Sequence, residues 1–290
     1  MKKILVFLAA GLMAVSCIIR FNGSGFVSVG DCTEEGIDYT EVREVGAFNS
    51  ISHDLPCNLY FSQADKQEVR VETTEELAPK VITVVENGKL TLKMEEGRYP
   101  KLILRVVVTS PDIESIQTHG SGDIIQEGAL RVSGDLTVKT HGSGDVRMGA
   151  IDSKAFTAHS SGSGDVRFES VSGADFSATV SGSGDLSFGR VSCAGFKIAT
   201  SGSGDISLGT VTAKGQAEVR TNGSGNIRLS EVAVDGDMEL KTTGSGDITV
   251  NGSCHDVKAS IQDRVLKIFQ SGKGNNNVNL CNRSIRTLSP

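Results

Sequence analysis

A short glycine-rich tetrad recurs along the middle of the chain and constrains its fold more than any other feature. It reads Gly-Ser-Gly-Asp, with Asn in place of Asp in one copy, and its seven copies begin at Gly120, Gly142, Gly162, Gly182, Gly202, Gly223 and Gly244. The steps between copies are 22, 20, 20, 20, 21 and 21 residues. Such a fixed period is the signature of a stacked repeat array. Residues 119–250 are therefore predicted to form one array.

Each repeat carries apolar residues spaced two apart. The first and third residues after a tetrad are apolar, as in Val166 and Phe168, and a second pair such as Phe176 and Ala178 precedes the next tetrad. A period of two indicates strands. Stacking repeats at about 4.8 Å would close these columns into one core. A propeller blade needs about twice this length, and the leucine and asparagine ladder of a leucine-rich repeat is absent. We predict an all-β fold, a parallel β-helix or solenoid of about 20-residue coils.

The tetrads are expected to form the corners between strands. A sharp corner requires positive φ, which glycine adopts without steric penalty. The serine and aspartate side chains can hydrogen-bond neighbouring backbone amides as local turn caps.

The N-terminus predicts export. Residues 1–16 combine two lysines with an apolar run and small residues, and are too short for a membrane span. Ala14 to Cys17 resembles a bacterial lipobox, in which Cys17 becomes the acylated first residue, although the same stretch also fits ordinary signal cleavage. We favour lipidation at Cys17, which would tether the protein to a membrane. The expected location is the bacterial cell envelope, anchored in the outer membrane and facing the periplasm or the surface.

The regions flanking the array are less regular. Residues 17–40 are rich in glycine, serine and acidic residues, which is typical of a tether. Residues 41–118 alternate as strands, with a hairpin turn at Asn87-Gly88, and are predicted to be an all-β leader that caps the solenoid. Residues 251–290 are predicted to be an atypical C-terminal cap with one more apolar strand at 265–269, followed by a polar tail from Asn275 to which no fold is assigned.

Cysteine content and charge limit the chemistry. With Cys17 lipidated, five cysteines remain, so at least one is free. Pairing of neighbours gives the candidate disulfides Cys32–Cys57 and Cys254–Cys281, but the sequence does not fix connectivity. No Cys/His spacing matches a zinc site. The formal net charge of −6 argues against nucleic acid as a partner.

The acidic residues of the tetrads are expected to lie above one another at one corner. Arg167 follows Asp165 by two positions, whereas Asp185 and Asp205 have serines there. Charges about 4.8 Å apart repel, so turn amides and salt must offset the repulsion, or a ligand must bind. The middle of the ladder is thus a candidate site for a cation such as calcium, or for a cationic or hydroxyl-rich ligand, at Asp165, Asp185 and Asp205.

Neither metal chemistry nor catalysis is predicted with a defined site. One aspartate per coil supplies few of the six to eight oxygens that calcium takes. His119 and His141 share the column before the tetrad and could hold a transition metal, but solvated corner residues are the commoner outcome. Acid/base catalysis needs carboxylates in different environments, and the ladder places them in equivalent ones. No catalytic residue and no cofactor are assigned.

The chain resembles a known family. The stretch Arg43-x-Val45-x-x-Phe48-x-x-Ile51, a strand ending in Ser110-Pro111, and the repeated Gly-Ser-Gly-Asp are similar to the family called putative auto-transporter adhesin, head GIN domain. The resemblance covers about residues 43 to 250 and implies an exported β-helical bacterial protein with an adhesin role.

We therefore predict a non-catalytic cell-envelope lipoprotein, an adhesin-like or structural module that presents a repetitive face to a surface glycan or protein. The alternatives are a polysaccharide-active β-helix enzyme and a calcium-stabilised periplasmic scaffold.

Overall fold

The computed structural model of the protein describes residues 17–20, 26–261, 266–270, 278–281 and 285–287. The predicted signal segment, residues 1–16, lies outside these ranges. Within them nearly all regular structure is β, since the one helix described is a short 3-10 turn at Ala78–Lys80. The prediction of an all-β chain is confirmed.

In chain order, the described strands are β1 (Cys17–Arg20), β2 (Phe26–Thr33), β3 (Tyr39–Arg43), β4 (Ser50–His53), β5 (Leu59–Gln63), β6 (Glu68–Thr73), β7 (Val81–Glu86), β8 (Lys89–Met94), β9 (Gly97–Ile103), β10 (Arg105–Ser110), β11 (Ser115–Thr118), β12 (Ile124–Arg131), β13 (Leu136–Thr140), β14 (Val146–Asp152), β15 (Ala155–Ser160), β16 (Val166–Ser172), β17 (Asp175–Val180), β18 (Leu186–Cys193), β19 (Gly195–Thr200), β20 (Ile206–Ala213), β21 (Ala217–Thr221), β22 (Ile227–Val234), β23 (Met238–Thr242), β24 (Ile248–Ser253), β25 (Val257–Ile261), β26 (Leu266–Gln270), β27 (Val278–Cys281) and β28 (Ile285–Thr287).

Two long sheets face each other across one core. The strands that follow the tetrads form the forward sheet, in the order β28-β26-β24-β22-β20-β18-β16-β14-β12-β5-β10-β6-β3. The strands that precede the tetrads form the return sheet, in the order β27-β25-β23-β21-β19-β17-β15-β13-β11-β4-β8-β7. From β12 to β28 every neighbouring pair is parallel, and Phe168 lies beside Phe188 while Phe156 lies beside Phe176. The predicted parallel solenoid of about 20-residue coils is confirmed.

The predicted apolar columns form the core. The two columns after the tetrads and the two columns of the return strands all point inward; Val166, Phe168, Phe176 and Ala178 are each at most 3% exposed. Inward residues alternate with outward polar residues along each strand, so every coil covers the apolar face of the next. The core thereby runs unbroken through the stack.

The leader pairs directly with the array. Strand β5 pairs in parallel with β12, and β4 pairs in parallel with β11, so this region forms the first coil. Antiparallel strands follow on the N-terminal side: β6 and β3 in the forward sheet, and β7 with β8 in the return sheet. The β7–β8 hairpin turns at Asn87 and Gly88, as predicted, with φ of 50° and 74°. The leader therefore both extends and ends the solenoid.

The regions predicted to be irregular contain strands. In the segment expected to be a tether, β2 pairs with β1 and β9 in a small third sheet, and Val27 and Val29 are buried in the core. The sequence signal for this was the alternation in Phe26-Val-Ser-Val, which we took for tether. At the other end, β26 is the predicted extra strand, and β27 and β28 lie in the tail to which no fold was assigned.

Candidate functional site

The tetrad corners are the most regular exposed feature of the molecule. In each corner after the first, the serine N–H donates to the carbonyl of the first glycine one coil earlier, as in Ser163 to Gly142 at 3.0 Å and Ser203 to Gly182 at 2.9 Å. The serine side chains lie outward, and Ser163, Ser183 and Ser203 are exposed. Backbone hydrogen bonds thus join the corners of successive coils, and the corners present a column of hydroxyls to solvent.

The reason we predicted for the tetrad glycines is wrong. The described glycines with positive φ are Gly36, Gly88, Gly128 and Gly252, none of them in a tetrad. Close packing between coils excludes a side chain instead. A Cβ at Gly162 would lie 1.9 Å from the carbonyl oxygen of Gly142, and one at Gly164 would lie 2.1 Å from that of Gly144. Only glycine lets successive corners approach at the strand spacing.

The aspartates form a hydrogen-bonded ladder. The Oδ1 of each residue accepts the backbone N–H of its counterpart in the next coil: Asp165 N–H donates to Asp145 at 2.9 Å, Asp185 to Asp165 at 3.0 Å, and Asp205 to Asp185 at 2.8 Å. Asn226 accepts from Asp247 in the same way, at 2.9 Å. The carboxylates are thus turn caps that bridge coils, which explains how an acidic column is tolerated.

Arginine compensates only the early part of the ladder. Arg147 contacts both Asp123 and Asp145, at 2.8 Å each, and Arg167 contacts Asp165 at 3.5 Å.

Among the described residues, no cationic side chain pairs with Asp185 or Asp205; the amide of Asn226 donates to Asp205 at 3.2 Å. Asp165, Asp185 and Asp205 therefore stand together at one corner, as predicted, and negative charge is least compensated at the last two.

Two further parts of the corner were missed at the sequence level. Asn58 begins the ladder, since its Oδ1 accepts the N–H of Asp123 at 3.3 Å, although no tetrad surrounds it. Buried threonines close the later corners from inside: the hydroxyls of Thr200 and Thr221 donate to the carbonyls of Gly204 and Gly225, at 3.2 and 3.0 Å. The recurrence of a threonine four residues before the second glycine was the available signal.

The histidine column does not converge on a metal position. The rings of His119 and His141 stack at 4.9 Å with an interplanar angle of 15°, so their in-plane nitrogen lone pairs run nearly parallel. The Nδ1 of His119 lies 3.0 Å from Asp54. Burial, together with the charges of His119, His159 and Lys139, lowers the pKa of His141. Over the part of the chain that the structure describes, no group of three or more His, Cys, Asp or Glu residues could hold a metal ion.

One of the two candidate disulfides is present. Cys32 and Cys57 are bonded, with Cα atoms 5.8 Å apart, and join β2 to the first coil. The Cys254–Cys281 pairing is not formed, because Cys254 is a free thiol and the register places Cys281 beside Ser260, a strand length away. Cys193 is also free, and burial raises its pKa to about 11. The side chain of Cys17 lies outside the described residues.

The ladder predicts how substitutions at Asp185 act. Asp185→Ala should destabilise the fold by roughly 1 to 2 kcal/mol, because the N–H of Asp205 loses its acceptor. Asp185→Asn should stay within about 0.5 kcal/mol of the wild type, since an amide oxygen can accept the same bond, as Asn226 does. Denaturant unfolding of the two variants, with Ser183→Ala as the control, measures this. Equal loss in both Asp185 variants would mean that charge matters and the bond does not.

The fold and the corner define a class of protein: a parallel β-solenoid whose glycine-rich corners are bridged by a ladder of acidic side chains. The chain belongs to the family described as putative auto-transporter adhesin, head GIN domain, whose sequence model matches residues 47–229 and 197–264. No curated protein matches the chain significantly in sequence.

Solved structures share the fold. A "putative adhesin" from Bacteroides fragilis NCTC 9343 superposes with a TM-score of 0.66 at 21% identity, covering 76% of this chain and 99% of that one. A "putative lipid binding protein" from Parabacteroides distasonis ATCC 8503 gives 0.68 at 20% identity, covering 85% and 100%. A "putative adhesin" from Parabacteroides merdae ATCC 43184 gives 0.66 at 14% identity, covering 85% and 99%. At these identities the likeness establishes the fold.

Proposed function

We propose that the protein is a non-catalytic cell-envelope lipoprotein that acts as an adhesin-like binding module. The observation that carries this proposal is the tetrad corner, a column of exposed hydroxyls and partly exposed carboxylates that hydrogen bonds join from coil to coil. A repetitive polar column suits a ligand that is itself repetitive and polar, such as a surface glycan, or the surface of another protein. The description of the family and the names of the two solved "putative adhesin" structures support the same role.

The ladder supports binding over catalysis. Asp165, Asp185 and Asp205 each use Oδ1 to cap the next coil, and their surroundings repeat from coil to coil. An acid/base pair requires two carboxyl groups whose environments hold their pKa values apart. A binding surface has no such requirement. Repetition is an advantage there, because several identical contacts can act on one polymer.

The surface favours a polar ligand over a lipid chain. Among the side chains that the structure describes, Val42 is the one large hydrophobic residue that is exposed. Ser183, Ser203, Asp185 and Asp205 instead offer hydroxyl donors and carboxylate acceptors in the least compensated part of the corner. We place the centre of the binding surface here.

Binding of the purified protein to a panel of bacterial and host surface glycans tests this placement. The double variant Asp185→Asn/Asp205→Asn keeps the caps but removes two charges, and should weaken binding to any captured glycan by about tenfold, or 1.4 kcal/mol. Glu231→Gln/Glu239→Gln removes two charges elsewhere and should leave binding unchanged. If both double variants weaken glycan binding equally, Asp185 and Asp205 act only through the net charge of the protein and not as local contacts.

Thermal melts of the wild type with and without millimolar calcium test the cation alternative. A ligand that binds only the folded state raises its stability.

Attachment is proposed to depend on Cys17. In the described part of the chain no helix is long and apolar enough to cross a membrane. Cys17→Ser should remove the acyl chains and move the protein from the membrane fraction to the soluble fraction, with a matching change in the mass of the mature N-terminus. Cys193→Ser is the matched control, because that thiol is buried in the solenoid. Unchanged fractionation and mass for Cys17→Ser would mean ordinary signal cleavage.

The side of the outer membrane that the protein faces distinguishes adhesion from a role inside the periplasm. Protease treatment of intact cells should degrade the protein if it faces outward, as an adhesin must. Protection in intact cells, with cleavage after the outer membrane is permeabilised, would contradict the adhesin role and leave a periplasmic scaffold.

A further inference from the structure

Strand β7 is an unusually unprotected sheet edge. It is the last strand of the return sheet among the described residues, and only β8 lies beside it. Its sequence from Val81 to Val85 is Val-Ile-Thr-Val-Val, without charge and rich in β-branched residues. The edge strand of the other sheet, β3, carries Glu41 and Arg43. Edge strands of natural sheets usually carry charged residues that prevent pairing with another chain. An uncharged edge therefore indicates a strand that pairs with another strand.

The hairpin fixes which backbone groups of β7 are free. Its two turn residues both have positive φ, as in a type I′ turn, so the flanking residues Glu86 and Lys89 form a hydrogen-bonded pair. The pattern alternates along an antiparallel ladder, and therefore Val84 and Ile82 also bond to β8. The N–H and C=O of Thr83 and Val85 point away from β8. The N–H of Val81 is bonded to Ala78, which leaves its C=O on the free edge.

We propose that a second copy of this chain pairs with β7 in antiparallel fashion, about a two-fold axis at Thr83. In this register Thr83 faces Thr83 of the second copy and exchanges two hydrogen bonds with it. The N–H of each Val85 reaches the C=O of the other Val81, which adds two more. The already bonded N–H of Val81 needs no partner. The register therefore uses every free group of the edge except the C=O of each Val85, whose counterpart N–H on Val81 is bonded to Ala78.

The side chains are complementary in the same register. Val81 and Val85 pack on the core, so Ile82 and Val84 lie on the outer face by strand alternation. Ile82 then lies opposite Val84 of the second copy, an apolar cross-strand pair formed twice. Lys80, which pairs with Glu95 at 2.5 Å in the monomer, comes opposite Glu86 of the second copy. Opposite charges at both rims favour this register over a slip in either direction.

The pairing joins two solenoids at their N-terminal ends. Strand β7 lies at the same end as β3, so the return sheets of the two copies continue into each other there. A contact with two-fold symmetry closes as a dimer and leaves the tetrad corners of both copies exposed. This inference does not depend on the proposed ligand.

Cysteine cross-linking of the full chain in its own envelope tests the register. Thr83 faces itself, with Cα atoms about 5.5 Å apart in such a pair, which a disulfide can span. Thr83→Cys should give a covalent dimer. Val85→Cys, two residues along the same strand, should not, because the two Val85 positions would lie about 14 Å apart. The wild type, with free Cys193 and Cys254, sets the background. We expect at least about a tenfold excess of dimer for Thr83→Cys.

A second measurement does not require a new bond. The detergent-solubilised full chain should sediment as a dimer at micromolar concentration, and Ile82→Lys should shift it to monomer while its thermal melt stays close to that of the wild type. Ser177→Lys, on the outer face of β17, should leave the dimer intact.

Equal cross-linking at positions 83 and 85, a monomer at all concentrations, or cross-links only to a different protein would each overturn the proposal.

Discussion

Phe176→Ala should lower the free energy of unfolding by roughly 3 to 5 kcal/mol, the range for emptying a buried aromatic site. Phe176 is 3% exposed and contacts two other rings. It stacks on Phe156 at 5.8 Å and meets Phe188 edge-on at 4.9 Å. Each such pair adds about 0.5 to 1.5 kcal/mol beyond the area it buries.

Phe196 provides the matched comparison. It occupies the same column one coil later and is 4% exposed, but no ring contact joins it to another aromatic residue among those described. Phe196→Ala should therefore lie at the lower end of the range, and the exposed Ser163→Ala should stay within about 0.5 kcal/mol of the wild type. Denaturant unfolding of the three variants measures the order. Equal stabilities would mean that the return column does not face the core.

Acidification should destabilise the first coil through His53. This side chain is fully buried, and burial lowers its pKa to about 4, against the opposing effects of the Asp54 and Asp123 carboxylates. The folded protein therefore favours neutral His53, whereas the unfolded chain protonates near pH 6.5. The stability due to this group is complete above pH 6.5 and is lost as the pH falls toward 4. The loss over that interval is roughly 3 kcal/mol.

The pH dependence of a variant isolates the histidine. His53→Thr replaces the histidine with threonine, which is the residue beside it in the neighbouring strand, at Thr118. The variant has its own packing cost at every pH, so the relevant quantity is the change in unfolding free energy between pH 7 and pH 4. Because the carboxylates are common to both proteins, the wild type should lose roughly 3 kcal/mol more. If unfolding free energy falls equally with pH in both proteins, or if the His53 resonance titrates near pH 6.5, the folded protein accommodates the charge.

The repeat predicted the array well because period and alternation are local properties of the sequence. Val166, Phe168 and Phe176 could be placed in the core from spacing alone. The ladder was predicted as a column, but its bonding pattern was not, since the partner of Asp165 lies one coil away. The role of Gly162 and Gly164 was misjudged for the same reason. Their constraint comes from the carbonyls of the preceding coil, which a single repeat does not contain.

The ends were harder to predict than the middle. Strand β2 was taken for a tether, because its pairing with β9 joins segments about 70 residues apart and follows no repeat. The place of Asn58 in the ladder was hidden because the first coil lacks the tetrad. Pairing between distant segments of unlike sequence gives no pattern that can be recognised in one sequence. Pairing between copies of one motif is indicated by the repetition of the motif.

The contacts of the tetrad glycines bear on how such a chain can evolve. After the first tetrad, each first glycine meets the first glycine of the tetrad one coil earlier, and the acidic or amide residue of each tetrad caps its counterpart in the next. Gain or loss of one whole period by unequal crossover between the repeated codons would recreate the same contacts at the new junction. The length of the protein can therefore change in units of a coil without passing through a misfolded intermediate. Single substitutions within a tetrad have no such freedom, so lineages should differ in coil number more readily than in corner sequence.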